Sequence, residues 1–232
     1  MTTIFITGAN KGLGREAARR LVELGHTVLA GARDPERGED AATAIGARFV
    51  QIDVTDDASV AAAAANVAGH EGHIDVLINN AGVSGTHGAS AETFTGGDVL
   101  DVFDVNVAGV VRTTTAFLPL LRKSADPAIV NVSSGMGSFT HTHDPERAEG
   151  KVVAPIYTAS KAALTMLTTQ YAKAFPDIRI NAADPGYTAT DLNGHSGPQT
   201  VSEGTDAIVQ LATEQRGAGT GRVIDRYGSV AW

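Results

Sequence analysis

Seven short apolar runs, at residues 3–7, 27–32, 48–52, 74–78, 128–132, 178–182 and 222–225, alternate with longer helix-type segments along the whole chain. Several of the runs are too apolar for a sheet with one wet face, so they read as strands buried on both sides. Parallel neighbours need crossover connections, and helices in those crossovers cover both faces of the sheet. The expected fold is α/β: a doubly wound, seven-stranded parallel sheet with helices on both faces. A length of 232 residues suits a single domain, 1–232, and no repeat or linker divides it. Helix boundaries are also legible. Asp34-Pro35 places a capping carboxylate before a proline at the first helical position, and Gly46 closes that segment. Thr200-Val201-Ser202-Glu203 has capping-box spacing.

Composition removes several classes of function. There is no cysteine, which excludes a disulfide framework, thiolate metal sites and a thiol nucleophile. A formal charge of −8 works against binding to nucleic acid or to an anionic membrane surface. The N-terminus enters an apolar run with no basic segment ahead of it, and no stretch is long enough to span a membrane, so a cytoplasmic protein is expected. The irregular stretches, about 83–98, 135–155 and 186–199, each follow a strand. In an open α/β sheet, loops at that edge surround the ligand.

The first strand runs into Thr7-Gly8-Ala9-Asn10-Lys11-Gly12-Leu13-Gly14 and then a helical segment. Glycines let the backbone turn sharply beside a ligand, and the unpaired N–H groups of a helix start favour a pyrophosphate. A glycine-rich turn without a ligand is the alternative at this point. The spacing is GxxxGxG, not the GxGxxG of the ordinary dinucleotide fingerprint.

This spacing resembles the short-chain dehydrogenase/reductase family, and further motifs follow in the family's order. They are Asn79-Asn80-Ala81-Gly82, the segment Phe103-Asp104-Val105-Asn106-Val107, Ile129-Val130-Asn131-Val132-Ser133-Ser134 and Tyr157-Thr158-Ala159-Ser160-Lys161. Asn181-Ala182-Ala183-Asp184-Pro185-Gly186 with Thr190, and the end from Gly221 through Trp232, are similar to the family's last segments. The resemblance implies a Rossmann-type fold of the carbonyl-reductase-like kind.

It also implies a catalytic set of Asn106, Ser134, Tyr157 and Lys161. Tyr157 and Lys161 are one helical turn apart, and the lysine charge would lower the tyrosine pKa. By resemblance, Tyr157 is the general acid in reduction and the base in oxidation, and Lys161 also holds the nicotinamide ribose. Ser134 binds the substrate oxygen, and Asn106 holds a water that links Lys161 to solvent. Outside this constellation Asn106 would read as a hydrogen-bonding asparagine at a helix kink. The implied cofactor contacts are Gly8, Asn10, Lys11, Gly12, Leu13, Gly14, Arg33, Asp53, Val54, Asn80, Ala81, Gly82, Tyr157, Lys161, Pro185, Gly186, Thr188 and Thr190. Thr188 stands where the family usually has valine, in a backbone contact to the carboxamide.

NADP(H) is expected in preference to NAD(H). Gly31 occupies the place of the aspartate that reads a ribose hydroxyl, while Arg33 and Lys11 offer charge to a phosphate, with Arg37 a weaker candidate. Arg33 could instead pair with Asp34 or Glu36. About ten extra residues separate Ser134 from Tyr157 relative to compact family members, a scale typical of functional loops. His141-Thr142-His143-Asp144 within them offers too few ligands for a metal, and none is expected. The partner implied is a small carbonyl or alcohol substrate. Phe94, Phe139, His141, His143, Ile156, Tyr187, Leu192 and His195 lie in segments that could surround it. Relatives commonly form homodimers or homotetramers through the helices of Asn106 and Tyr157, whereas a longer insert accompanies monomers in some carbonyl reductases. A non-catalytic NADP(H) sensor and a cofactor-using isomerase or dehydratase are the competing functions.

Overall fold

The expected strands form at β1 (Thr3–Thr7), β2 (Thr27–Ala32), β3 (Arg48–Gln51), β4 (Val76–Asn79), β5 (Ala128–Val132), β6 (Arg179–Ala183) and β7 (Val223–Asp225). The computed structural model describes residues 1–85 and 91–231. Strand ends differ from the sequence expectation by one or two residues, the usual uncertainty where a ladder frays. One correction concerns strand number. A two-residue strand, β8 (Gly228–Ser229), turns back antiparallel on β7, so among the described residues the sheet has eight strands. So short a segment carries no alternation pattern from which it could have been expected.

The spatial order is β3-β2-β1-β4-β5-β6-β7-β8, and all pairs up to β7 are parallel. The helices are α1 (Gly12–Glu23), α2 (Pro35–Ile45), α3 (Asp57–His70), α4 (Gly96–Phe103), α5 (Gly109–Leu121), α6 (Phe139–His143), α7 (Ala148–Lys151), α8 (Pro155–Ala174), α9 (Val201–Gly204) and α10 (Asp206–Thr213). Alternating side chains of one strand feed two separate cores. Ile4 and Ile6 pack in the cluster that holds Ala17 and Leu21 of α1 and Ile208 and Leu211 of α10. Phe5 points the other way, to Val60 and Val67 of α3 and Phe117 and Leu121 of α5. The rings of Phe5 and Phe117 have centroids 4.4 Å apart. Burial on both faces is what makes the strands almost wholly apolar.

The capping signals act as read. Asp34 accepts the N–H of Arg37, and Gly46 ends α2 in the left-handed conformation at φ 74°. The Thr200–Glu203 capping box is formed, although its helix stops at Gly204 and α10 begins anew at Asp206. The 135–155 stretch is not simply a loop: it contains a 3-10 turn at Gly135–Gly137 and the short helices α6 and α7. Residues 86–90 of the expected 83–98 loop lie outside the described residues, and the rest of it already enters α4. Among the described residues no helix is long and apolar enough to cross a membrane.

Four buried polar residues tie the sheet centre to its helices. Thr113 of α5 donates to Asn79 Oδ1 at 2.7 Å, Asn79 donates to Asn131 Oδ1 at 2.9 Å, and Asn131 donates to Thr168 of α8 at 2.8 Å. Each buried amide thereby finds partners in a place where an unpaired one would be costly. The first asparagine of Asn79-Asn80-Ala81-Gly82 is thus structural: it sets α5 and α8 relative to the strand ends that carry the site.

Candidate active site

β1 lies between β2 and β4, so the chain leaves the sheet in opposite directions on either side and a crevice opens at the carboxyl ends of β1 and β4. The glycine turn after β1 and Asn80-Ala81-Gly82 after β4 are locked together across it. Thr7 Oγ1 accepts the N–H groups of Asn80 and Ala81, each at 3.0 Å, while Asn80 Nδ2 donates to the carbonyls of Thr7 and Gly8 at 2.8 and 3.1 Å. This packing demands glycine at position 14. A Cβ there would stand 2.3 Å from Asn80 Nδ2 and 2.4 Å from the Gly8 carbonyl oxygen. Lys11 begins α1 without a side-chain cap, which leaves the first-turn N–H groups facing the crevice for an anion.

A cleft of about 630 Å³ extends from this turn to Lys161. It is lined by Gly8, Asn10, Lys11, Gly12, Leu13, Gly14, Arg33, Asp53, Val54, Asn80, Ala81, Gly82, Tyr157, Lys161, Pro185 and Thr190. Of the expected cofactor contacts only Gly186 and Thr188 lie elsewhere, in the adjoining cavity. The cleft fits a dinucleotide: a helix start without a cap lies at its middle, an arginine at one end and a buried lysine at the other. Two local details differ from the sequence reading. Gly31 is inside the sheet, where a Cβ would meet Ile52 and the Ile6 carbonyl oxygen at 2.9 Å. The strand-end residue is Ala32, which is equally free of a carboxylate. Lys11 is engaged with Asp191 at 2.9 Å, so of the two expected cations Arg33 is the freer, with Asp53 3.9 Å away.

The catalytic candidates converge from three elements. Ser134 caps the turn after β5, with Met136 N donating to its Oγ at 3.2 Å. Tyr157 and Lys161 project from the first turns of α8, with the lysine nitrogen 5.7 Å from the centre of the tyrosine ring. Lys161 is 5% exposed and donates to the Val132 carbonyl at 2.8 Å. Burial brings its pKa down to about 8, against an attraction to Asp184. Burial also pushes the Tyr157 hydroxyl up to about 12, with a hydrogen bond to Ser134 working the other way and the Asp184 carboxylate adding to the rise. The tyrosine pKa is thus raised and not lowered as expected, because desolvation disfavours the charged forms of both residues at once.

Asn106 lies in a π-helical turn, Asp104–Ala108, where Gly109 N donates to the Asp104 carbonyl five residues back. Such turns recur at functional sites. Its amide oxygen and both amide hydrogens are engaged. Oδ1 accepts the Val83 N–H at 2.8 Å, and Nδ2 donates to the Val83 carbonyl at 2.8 Å and to Ser160 Oγ at 2.9 Å. The side chain is therefore a clamp between the loop after β4 and α8.

Ser134 and Tyr157 open onto a second cavity, of about 600 Å³. Its walls are mainly apolar: Val83, Phe94, Val102, Met136, Val152, Val153, Ile156, Tyr187 and Leu192 all contribute. Phe94, Ile156, Tyr187 and Leu192 were expected around the substrate. Phe139, His141, His143 and His195 do not line this cavity. Phe139 is mostly exposed and lies 6.4 Å from the His143 ring, and His195 turns to Asp191 at 3.0 Å. Met136, Val152, Val153, Glu149 and Asp184 were missed. Residues 152 and 153 just precede Pro155, the first residue of α8, and that position was the one available signal. Thr188 is buried, with its hydroxyl donating to the Pro185 carbonyl at 2.9 Å.

Comparison with known proteins agrees with this geometry. The short chain dehydrogenase family matches residues 2–200. The chain is 33% identical to (-)-isopiperitenone reductase of Mentha piperita over 304 aligned residues, covering 98% of this chain and 97% of that one. Among solved structures, NADPH-bound carbonyl reductase from chicken fatty liver superposes with a TM-score of 0.89 at 29% identity, covering 100% of this chain and 99% of the other. Salutaridine reductase from Papaver somniferum superposes with a TM-score of 0.85 at 26% identity, over 96% of this chain and 99% of that one. The family match over most of the sequence and the near-complete coverage of these relatives make this chain a member of the short chain dehydrogenase family of oxidoreductases.

Proposed function

We propose that the protein is an NADPH-dependent reductase of ketones or aldehydes on largely apolar small molecules, with Tyr157 as the proton donor. The observation that carries this reading is the convergence of Ser134 and Tyr157 at the meeting of a dinucleotide-sized cleft and an apolar cavity. When bound, the nicotinamide supplies the hydride. Everything else belongs to this chain. Ser134 Oγ donates to the substrate oxygen and holds it where negative charge develops. Tyr157, held neutral by burial, gives its proton to that oxygen. Lys161 places a positive charge beside the resulting phenolate, which is the state in which its attraction matters most. The apolar walls exclude water and strengthen each of these interactions.

Three features favour NADPH over NADH. Ala32 ends β2 without a carboxylate, Arg33 follows it with its side chain largely exposed at the cleft, and Arg37 stands on the same rim. The carbonyl reductase it resembles was solved with NADPH, which supports the same choice. The test is Tyr157→Phe. Turnover of NADPH with a panel of ketones and aldehydes is expected to fall about 10²–10⁴-fold, with NADPH binding retained. Near-normal turnover in that variant would overturn the role given to Tyr157.

A further inference from the structure

Behind the Ser134 turn, three segments far apart in sequence bring metal-binding side chains together. His141 comes from α6, Glu149 from α7 and Asp184 from the end of β6, and one donor atom of each lies within 4.8 Å of the other two. All three close on Gly135, where no side chain would fit. A Cβ on Gly135 would stand 2.6 Å from Glu149 Oε1, 2.8 Å from Asp184 Oδ2 and 3.2 Å from His141 Nδ1. His141 is 8% exposed, and its Nδ1, 4.0 Å from Glu149 Oε1, is buried without a hydrogen-bond partner. A buried imidazole nitrogen that faces two carboxylates and has no hydrogen-bond partner is costly unless something bridges them.

We propose that His141, Glu149 and Asp184 bind a divalent transition-metal cation of the Zn²⁺ or Mn²⁺ type. The charge balance asks for one. Asp184 is 3% exposed and receives the Gly186 N–H at 2.9 Å, while Arg147 reaches Glu149 at 3.2 Å. A cation between the two carboxylates offsets the repulsion of their like charges. One nitrogen and two oxygen donors suit a borderline metal better than Mg²⁺, which prefers oxygen ligands throughout. Ligand bonds of about 2.0–2.2 Å require the donors to draw together by roughly half an ångström, a movement within reach of side chains on two short helices. Entry is open. Glu149 and Asp184 line both the substrate cavity and a second cavity of about 290 Å³ reaching Arg226 and Tyr227, so water can complete the coordination from either side.

The test is direct and does not depend on the reductase reading. The full-length chain, stripped with chelator and dialysed, is titrated calorimetrically with ZnCl₂ and with MnCl₂. One ion per chain is expected for at least one of the two metals. His141→Ala and Glu149→Gln should each weaken binding by about tenfold or more. Gly135→Ala, which drives a methyl group against all three donors, should weaken it at least as much. His143→Ala removes an exposed neighbouring histidine and should leave binding unchanged. Circular dichroism and thermal melts establish that each variant is folded, and Glu149→Gln, at a partly exposed site, preserves shape if His141→Ala does not fold. Absence of saturable binding of either metal would overturn the proposal. So would equal affinity in folded Glu149→Gln, or a loss in His143→Ala as large as in the others.

Discussion

Asn106 and Ser160, 54 positions apart, share a hydrogen bond from Nδ2 to Oγ at 2.9 Å, and the serine hydroxyl donates in turn to the Tyr157 backbone carbonyl at 2.7 Å. The two bonds join the π-turn to the first turn of α8, so the helix that carries Tyr157 and Lys161 is positioned from outside itself. In Tyr157-Thr158-Ala159-Ser160-Lys161 the serine is therefore a positioning residue. It touches neither the cleft nor the substrate cavity.

Ser160→Ala leaves a buried amide hydrogen of Asn106 without this acceptor, at a cost of about 1–2 kcal/mol in unfolding free energy. Turnover should fall more than cofactor affinity, because what shifts is the angle of Tyr157. Urea denaturation, fluorescence titration with NADPH and steady-state kinetics separate these effects. Equal losses in kcat and in cofactor affinity would point to general damage instead.

Lys161 gives the cofactor-free protein a characteristic pH dependence. Its pKa is about 8 folded and 10.5 unfolded, so between these values the unfolded chain binds more protons and stability rises with pH. Below about pH 8 the full cost of burying the charge is present. Lys161→Met removes that cost and should stabilise the cofactor-free protein at pH 7 by on the order of 1–3 kcal/mol, less the loss of the bond to the Val132 carbonyl. The advantage should shrink towards pH 10.5 while turnover is lost throughout. Denaturation of both proteins at pH 7 and pH 10 checks this; an advantage independent of pH would show that the buried charge is not its source.

Arg33→Ala should raise the KM for NADPH about tenfold or more and leave that for NADH nearly unchanged, since a charge-assisted bond to a phosphate is worth about 1.5–3 kcal/mol. Kinetics with both nucleotides decide the matter. A parallel rise for both would reassign Arg33 to general binding.

Gly14→Ala forces a methyl group against Asn80 Nδ2 and the Gly8 carbonyl oxygen. The expected result is destabilisation by about 1–3 kcal/mol and loss of nucleotide binding, because the turn and the Asn80 loop must part. Thermal melts with and without NADPH measure both. A variant that NADPH stabilises as much as it does the parent would contradict the close packing.

What could be read in the sequence is what local chemistry dictates. A buried parallel strand is apolar along most of its length, a helix start needs a cap, and Asp34 with Gly46 or Thr200 with Glu203 announces itself within a few residues. The glycine turn and the Tyr157–Lys161 pair are equally local, so their places at the carboxyl edge of the sheet followed from chain order. Only the tertiary structure decided how those side chains are used. Asn80 and Asn106 spend their amides on carbonyls, N–H groups and a hydroxyl that folding brings close, and Lys11 turns to Asp191, 180 residues on. Burial governs the pKa values of Tyr157 and Lys161, and burial is a property of the packed whole. His141, Glu149 and Asp184 carry no common spacing, because they sit on separate elements and meet only where Gly135 leaves room for them.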